Sequence, residues 1–458
     1  MDNELTSLGI IFTEFYYWVT VVFMFLIHVG FTFYEVGVSR KKNHMHTLLK
    51  NAMLIPLVTI TFFLFGWWIY FGMQNGPGFT GGLGSAPWAV PWSEMMGTHN
   101  DGAAATPEDV AGWARINGVF WAAFLLFSWT IASILSGAVI ERIKSSAFWI
   151  FAVLFGSIFW VIDAAWGWSA DGWMIQLLGY HDAYASGVIH GIAGGAALGI
   201  LIHLGPRIGR FRANGTARVF PVHNPWMVII GLFLIYTGFW GFYAACNVPM
   251  WNIDQTGGTF FSATTIYLTP TTLSAITFNF LLSLAGGLLA GYYVSKGDAY
   301  WTFSGGLAGV ITASAGNDLY HPLQAFVIGI IGVVVLYRLH NWVENRFKID
   351  DAVGAVAVHG YAGSLGVIIA GFVLWGYPAS PTYAATINPL GQFIGAIIMF
   401  VVLGFIPAYI VGWILKKANM LRIPPEVEIA GLDYSGVIAA DAEAKELLEA
   451  ELAALKAM

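Results

Sequence analysis

The chain is 458 residues long, 57% hydrophobic and 16% aromatic, yet only 10% charged, with a net charge of −6 and a mean hydropathy of +0.69. An ordinary soluble protein carries roughly 25% charged residues, so 20 basic and 26 acidic side chains cannot clothe a water-facing surface of this size. These figures exclude a soluble globular enzyme, a nucleic-acid binder and a disordered chain, and they point to a polytopic membrane protein. Cys246 is the single cysteine, which excludes an intramolecular disulfide and a cysteine-based zinc site. The stretch Met1 to Ile11 carries Asp2 and Glu4 and no basic residue, unlike the start of a secretory leader.

A helix that crosses a bilayer needs about 20 mostly apolar residues. Eleven segments are predicted to cross, near 12–36, 51–73, 117–140, 147–168, 184–204, 226–247, 271–294, 301–315, 321–338, 352–376 and 390–415. The eighth is short and glycine-rich (Ser304-Gly305-Gly306-Leu307-Ala308-Gly309), and such a segment survives at membrane depth only when packed against protein. The loops then set the orientation. Nineteen of the 20 basic residues follow odd-numbered helices or lie in the tail, and only Arg115 falls on the other side. The opposite loops carry Glu94, Asp101, Glu108, Asp109, Asp171, Asp254 and Asp318. This pattern predicts an odd number of spans, with the N-terminus outside and the C-terminus in the cytoplasm.

The loop 74–112, rich in Gly, Pro and Ala, is expected outside. Residues 1–415 therefore read as a membrane domain and 416–458 as a cytoplasmic tail. The tail ends in Ala439–Met458, an Ala-, Glu- and Leu-rich stretch that predicts a helix. A solvated face is the plain reading of it, and a docking element for a partner or neighbouring subunit is the sharper one.

One phrase occurs twice. Val188-Ile189-His190-Gly191-Ile192-Ala193-Gly194-Gly195 in the fifth span matches Ala357-Val358-His359-Gly360-Tyr361-Ala362-Gly363-Ser364 in the tenth, 169 residues later. Five spans separate them, so the two halves, about 12–204 and 226–376, are predicted to be inverted repeats, with helix eleven at about 390–415 outside them. Inverted repeats commonly place a transport site at their interface near the bilayer midplane. Each histidine is expected well inside an apolar span, where a titratable group suggests function. The plain alternative is a satisfied core histidine, as expected for His28. The glycines that follow let the backbones approach, so two imidazoles can meet and offer both donor and acceptor. No third ligand stands at helical spacing, so neither a metal nor any other cofactor is expected.

With these residues in view, the chain resembles the ammonium transporter family (the Amt/Mep/Rh superfamily, Amt branch) from about residue 12 to 436. The resemblance rests on Asp182-Ala183-Tyr184-Ala185-Ser186-Gly187-Val188-Ile189-His190 and Gly205-Pro206-Arg207-Ile208-Gly209-Arg210-Phe211. It rests also on Asp350-Asp351 leading to Val358-His359-Gly360, on Glu141-Arg142, and on Gly431-Leu432-Asp433. It implies an all-α membrane fold of eleven helices, a homotrimer of independent pores in the plasma or inner membrane, and passage of ammonium or ammonia. It implies twin pore histidines at His190 and His359, and a gate at Phe127 and Phe242. The outer vestibule would be lined by Trp168 (or else Trp166), Phe127, Cys246 and Asp182. Cys246 stands where the family has serine, Tyr243 where asparagine is frequent, Phe124 where glutamine is usual, and Gly354 where aspartate is frequent.

Physically, ammonium is strongly hydrated, and burying the ion intact costs about 3 kcal/mol or more. Aromatic faces return about 0.5 to 2 kcal/mol each through cation–π attraction. Loss of the proton at a Phe127/Phe242 constriction removes most of the desolvation cost. Ammonia then crosses past His190 and His359, and a proton conducted by the pair would make transport electrogenic. Two other readings remain open: a sensor signalling through the tail, with a PII-type regulator as the cytoplasmic partner, and a neutral gas channel of the Rh kind. An enzyme is not expected, for want of a nucleophile or metal set.

Overall fold

Apolar runs this long have nowhere to bury their surface except in lipid or against one another, and helices are the economical way to satisfy their backbone groups. A computed structural model of the chain describes residues 2–76, 108–249, 262–380, 384–434 and 442–457. Among the described residues, ten helices are long and apolar enough to cross a membrane. In chain order, with the short eighth helix included, they are α1 Leu8–Val38, α2 Lys41–Gly72, α3 Gly118–Ala138, α4 Ser145–Gly167, α5 Ser186–Leu204, α6 Pro225–Ala245, α7 Leu273–Ser295, α8 Ala299–Ala313, α9 Pro322–Phe347, α10 Val356–Val373 and α11 Pro389–Lys417. The chain is a multi-pass membrane protein. Two short helices follow, α12 Pro425–Ala430 and α13 Ala442–Ala457. Most of the predicted outer loop 74–112 lies outside the described residues.

Local chemistry explains the helix starts. Pro225, Pro322 and Pro389 each occupy the first turn, where a missing N–H costs nothing. Asn224, Thr272, Asp298 and Asn388 cap α6, α7, α8 and α11 by accepting from Met227, Ala275, Trp301 and Gly391. Between α6 and α7 a small antiparallel sheet forms from β1 Asn247–Pro249, β2 Ala263–Thr265 and β3 Pro270–Thr271, in the order β1-β2-β3.

Among the ends that differ from the predicted ones, three have a clear physical reason. α2 begins ten residues before 51, because the polar turn Lys41–Lys50 finds partners inside the protein: Lys50 Nζ donates to Ser136 O at 2.7 Å and lies 3.6 Å from Glu35. α9 runs on past 338 to Phe347, where buried Glu344 pairs with Arg210. α10 starts at Val356 rather than 352, because Asp351 turns back to cap it. The eighth segment is a helix of 15 residues whose part from Ser304 to Ala313 is wholly buried.

Burial separates a centre from a rim. In α5, 83% of the apolar window is buried, against 28% in α1. α5 packs against α10 and α11, and α1 packs along α6. The two histidine segments therefore face each other in the middle of the molecule.

Candidate functional site

Each histidine helix opens with the same backbone device. In the first half, Asp182 Oδ1 accepts from Ser186 N at 2.7 Å, and Oδ2 accepts from Gly187 N and Val188 N at 2.8 and 2.9 Å. In the second, Asp351 Oδ1 accepts from Ala355 N at 2.8 Å, and Oδ2 from Val356 N and Ala357 N at 2.8 and 3.4 Å. These are the orphan donors of a helix N-terminus, where a carboxylate is favoured. Ala185 and Gly354, again 169 residues apart, both hold positive φ, at 68° and 66°. Each histidine lies eight residues after its aspartate, within a π-helical turn, Ser186–Gly191 or Val356–Tyr361. The histidines were expected well inside their spans. They sit instead four or fewer residues from the helix starts, because the irregular lead-ins are themselves buried behind the aspartate caps.

The close approach depends on glycine. A Cβ on Gly194 would lie 2.1 Å from Gly360 Cα, so the backbones of α5 and α10 touch just past the histidines. His190 Nδ1 and His359 Nδ1 are then 3.0 Å apart, a hydrogen-bond distance. One ring donates and the other accepts, which leaves one Nε2 acceptor and one Nε2–H donor facing outward along the pair. His190 Nε2 is buried with no partner among the described residues. His359 borders a small cavity of 10 Å³ with Phe31, Tyr34 and Ser304.

Aromatic rings close the space above the pair. His190 stacks on Phe242 at 5.6 Å and on Phe239 at 6.0 Å. Phe242 meets Phe127 edge-on at 4.8 Å, and Phe127 meets Trp168 at 5.0 Å. The rings of Trp168, Phe127, Phe242 and His190 thus form one continuous line. Trp168 is fully buried, and its Nε1 donates to Asp182 O at 2.7 Å. Trp166 turns elsewhere, donating to Gly76 O and facing Trp173. Cys246 is buried near this line and its thiol donates to Phe242 O at 3.1 Å. Asp182 spends its oxygens on the α5 cap and on the Tyr180 hydroxyl at 3.2 Å. Phe124 thickens the wall, 5.8 Å from Phe127 and 6.1 Å from Trp168. Tyr243 points away, stacked 4.0 Å from Tyr184 and bonded to Ser314 and Asn317. His28, 3.4 Å from Ser133 Oγ, lies apart from the pair. Among the described residues, no group of three or more His, Cys, Asp or Glu is placed to hold a metal ion.

Two residues were missed in the sequence, although a signal existed. Asp351 plays for His359 the part that Asp182 plays for His190, and the 169-residue offset of the histidines would have found it. Phe239, one turn before Phe242, adds a second ring to the stack.

Beneath α10 lies a charged cluster. Arg207 grips Asp350 through Nε and Nη2 at 2.8 and 2.9 Å and reaches Glu141 at 3.5 Å. Arg40 pairs with Glu141 at 2.7 Å, and buried Arg142 donates to Asp350 O, Gly205 O and Ile140 O. Burial alone would raise the Asp350 carboxyl, but Arg207 and Arg142 hold it well below the usual carboxylate range. Glu141 is likewise held low by Arg207 and Arg40 against its burial. Asp351, without such a partner, is pushed up by burial from 3.8 to about 7. A 590 Å³ cavity lined by Arg207, Arg210, Tyr300, His340 and Asp351 opens beside this cluster.

The first part of the tail docks on its own chain. Arg422 donates to Leu204 O and Pro206 O and pairs with Glu428 at 2.7 Å. Glu428 in turn accepts from Ile208 N, and Asp433 accepts from Met45 N and His46 N. Gly431-Leu432-Asp433, carried by the resemblance, is thus the contact between the tail and the start of α2.

Known proteins share this plan. The profile described as the Ammonium Transporter Family matches residues 15–439. Ammonium transporter Amt2 of Methanocaldococcus jannaschii is 30% identical over 443 residues, which cover 94% of this chain and 92% of that protein. Ammonium transporter Amt2 of Archaeoglobus fulgidus is 29% identical over 441 residues, 91% of this chain and 84% of the relative. Among solved structures, one titled Sensor Amt Protein superimposes with a TM-score of 0.74 at 24% identity, covering 94% of this chain and 99% of that one. Mep2 of Candida albicans superimposes with a TM-score of 0.65 at 17% identity, covering 90% of this chain and 86% of the other. At those identities the structural likeness speaks for the fold.

Proposed function

This chain belongs to the ammonium transporter family, and on that footing we propose that it carries ammonium across the cell membrane by stripping the ion of its proton and passing ammonia between His190 and His359. The single observation that carries this reading is the unbroken line Trp168, Phe127, Phe242, His190, His359. Ammonium enters at the Trp168 and Phe127 faces, where cation–π attraction of about 0.5 to 2 kcal/mol per ring offsets part of its dehydration. The edge-on Phe127/Phe242 contact leaves no room for a hydration shell, so the barrier falls once the proton departs. Neutral ammonia then meets one Nε2 acceptor and one Nε2–H donor, which suit a molecule that both accepts and donates. The hydrogen-bonded pair gives the released proton a path of its own, and net transport is electrogenic.

In this reading residues 1–415 form the transport domain with eleven crossings. Helices α1–α5 and α6–α10 are inverted repeats, the N-terminus lies outside, and residues 416–458 form the cytoplasmic tail. The 15-residue α8, buried in protein from Ser304 to Ala313, completes the count as a crossing. The protein works as a homotrimer and is not an enzyme. The cytoplasmic tail offers a PII-type regulator its contact.

The test is an ammonium pulse on proteoliposomes. The natural chain gives a current, and replacing both histidines by leucine abolishes it. An undiminished current in the double variant removes the proton-relay role. No current from the natural chain, with faster ammonia equilibration, makes it a neutral gas channel.

A further inference from the structure

A membrane protein rarely buries a carboxylate without giving it a partner, because the lost hydration costs several kcal/mol. Asp182 and Asp351 follow this rule through their helix caps. Asp163 does not. It is fully buried in α4, and neither of its carboxyl oxygens has a hydrogen-bond partner among the described residues. Nor is any Lys, Arg or His paired with it there; the ionisable group whose charge it feels is Asp182, another acid.

Its position gives this orphan a meaning. Trp160, Asp163 and Gly167 share one stripe of α4, spaced three and four residues apart. At one end of that stripe, Trp160 packs 6.2 Å from Phe127 and donates to Ser128 Oγ. At the other, Gly167 lies so close to Tyr180 and Met399 that a Cβ would sit 3.1 and 2.7 Å from them. Tyr180 is the residue bonded to Asp182. Asp163 therefore sits between the Phe127 wall and the Asp182 cap, one turn before the main chain delivers Trp168. The two polar groups expected in the vestibule beside it are spent: Asp182 on three backbone N–H groups and a hydroxyl, Cys246 on Phe242 O. Asp163 keeps both carboxyl oxygens without a hydrogen-bond partner among the described residues, on the stripe of α4 that runs from the Phe127 wall toward the Asp182 cap.

We propose that Asp163 is the acidic group of the outer cation site, and that its carboxylate holds ammonium where the ion meets Phe127 and Trp168. A small cation with several N–H donors satisfies both orphan oxygens at once and neutralises the repulsion from Asp182. This assignment rests on the transport reading, and it names the residue that sets affinity for the ion.

Three variants and two readouts test it. In proteoliposomes Asp163→Asn raises the half-saturating ammonium concentration about tenfold while the maximal current changes about twofold or less, and Asp163→Glu recovers most of the loss. In detergent, ammonium chloride raises the melting temperature of the natural chain and sodium chloride does not. Asp163→Leu, which removes a buried carboxyl without a partner, melts at least as high as the natural chain without ammonium and shows no rise with it. Unchanged half-saturation in Asp163→Asn, a retained ammonium-dependent rise in Asp163→Leu, or an equal rise with sodium each overturns the assignment. The transport reading fails separately: a natural chain without current, but with an Asp163-dependent rise in melting temperature, binds ammonium without carrying it.

Discussion

Around His190 the protein is closed on every side. Phe239 and Phe242 cover the ring, Asp182 is fully buried, and its four donors leave it no freedom. Around His359 the same backbone plan opens toward polar space. Asp351 borders the 590 Å³ cavity, His340 lies 4.0 Å away, and its third amide bond is long at 3.4 Å. The aspartate, the positive φ and the histidine recur at a constant offset, so the repeat conserves the device that starts a helix inside the protein. What differs is supplied by neighbouring helices. A duplicated element can therefore make one closed and one open half of a pathway without changing its own backbone.

The comparison can be broken most decisively at the caps. Asp182→Ala leaves three buried amides unpaired and is expected to cost about 3 to 5 kcal/mol, while Asp351→Ala costs about 1 to 3 kcal/mol because water from the cavity replaces part of the cap. Thermal unfolding in detergent reads both, and equal losses would mean that the surroundings do not matter. The glycines after the histidines come next. Gly191 and Gly360 are repeat equivalents, but a Cβ meets its nearest atom at 3.6 Å on Gly191 and at 2.7 Å on Gly360, where Phe400 is packed. Gly191→Ala is expected to change stability by less than about 0.5 kcal/mol and Gly360→Ala to lose about 1 to 3 kcal/mol, with the ammonium-evoked current falling in the second alone.

Acid–base behaviour sharpens the contrast within two adjacent residues. Asp351 has its carboxyl raised from 3.8 to about 7, so its contribution to stability is full below about pH 4 and is lost as pH rises toward 7. Asp350 is depressed, so its contribution is present above the ordinary carboxylate range and is lost only as pH falls through its lowered value. Asp351→Asn should flatten the stability profile between about pH 4 and 7 and leave the acid limb, which belongs to Asp350, in place. The smallest effect lies at the positive-φ pair. Ala185→Gly relieves a left-handed alanine and should gain up to about 1 kcal/mol, whereas Gly354→Ala should lose about 1 kcal/mol or slightly more, because its Cβ also comes within 3.3 Å of Trp301. A loss at both positions would show that the two turns are not equivalent.

Much of this molecule is legible from the chain alone because lipid imposes long apolar runs. Helices such as α4 and α6 begin and end within a few residues of their predicted limits. The reading failed where polar residues find partners inside. Lys50 and Glu344 look like loop residues, but Glu35 and Arg210 allow them to stay helical. The repeated Val/Ile-His-Gly phrase drew attention to His190 and His359, since a titratable side chain in an apolar run stands out. Asp163 carried the same kind of signal inside the fourth span and went unremarked, because no periodic pattern reveals whether an acid has a partner.

By itself, then, the sequence determined a many-spanning helical protein, the doubled histidine phrase and the family to which both belong. These are local or one-dimensional properties: hydropathy over about 20 residues, spacing, and order along the chain. Tertiary structure alone decided that the two imidazoles lie 3.0 Å apart, that Asp182 is fully committed while Asp163 is not, and that the first part of the tail is docked. Each of those depends on which groups from distant segments arrive within hydrogen-bonding distance. In a low-dielectric interior that accounting settles where a charge can rest.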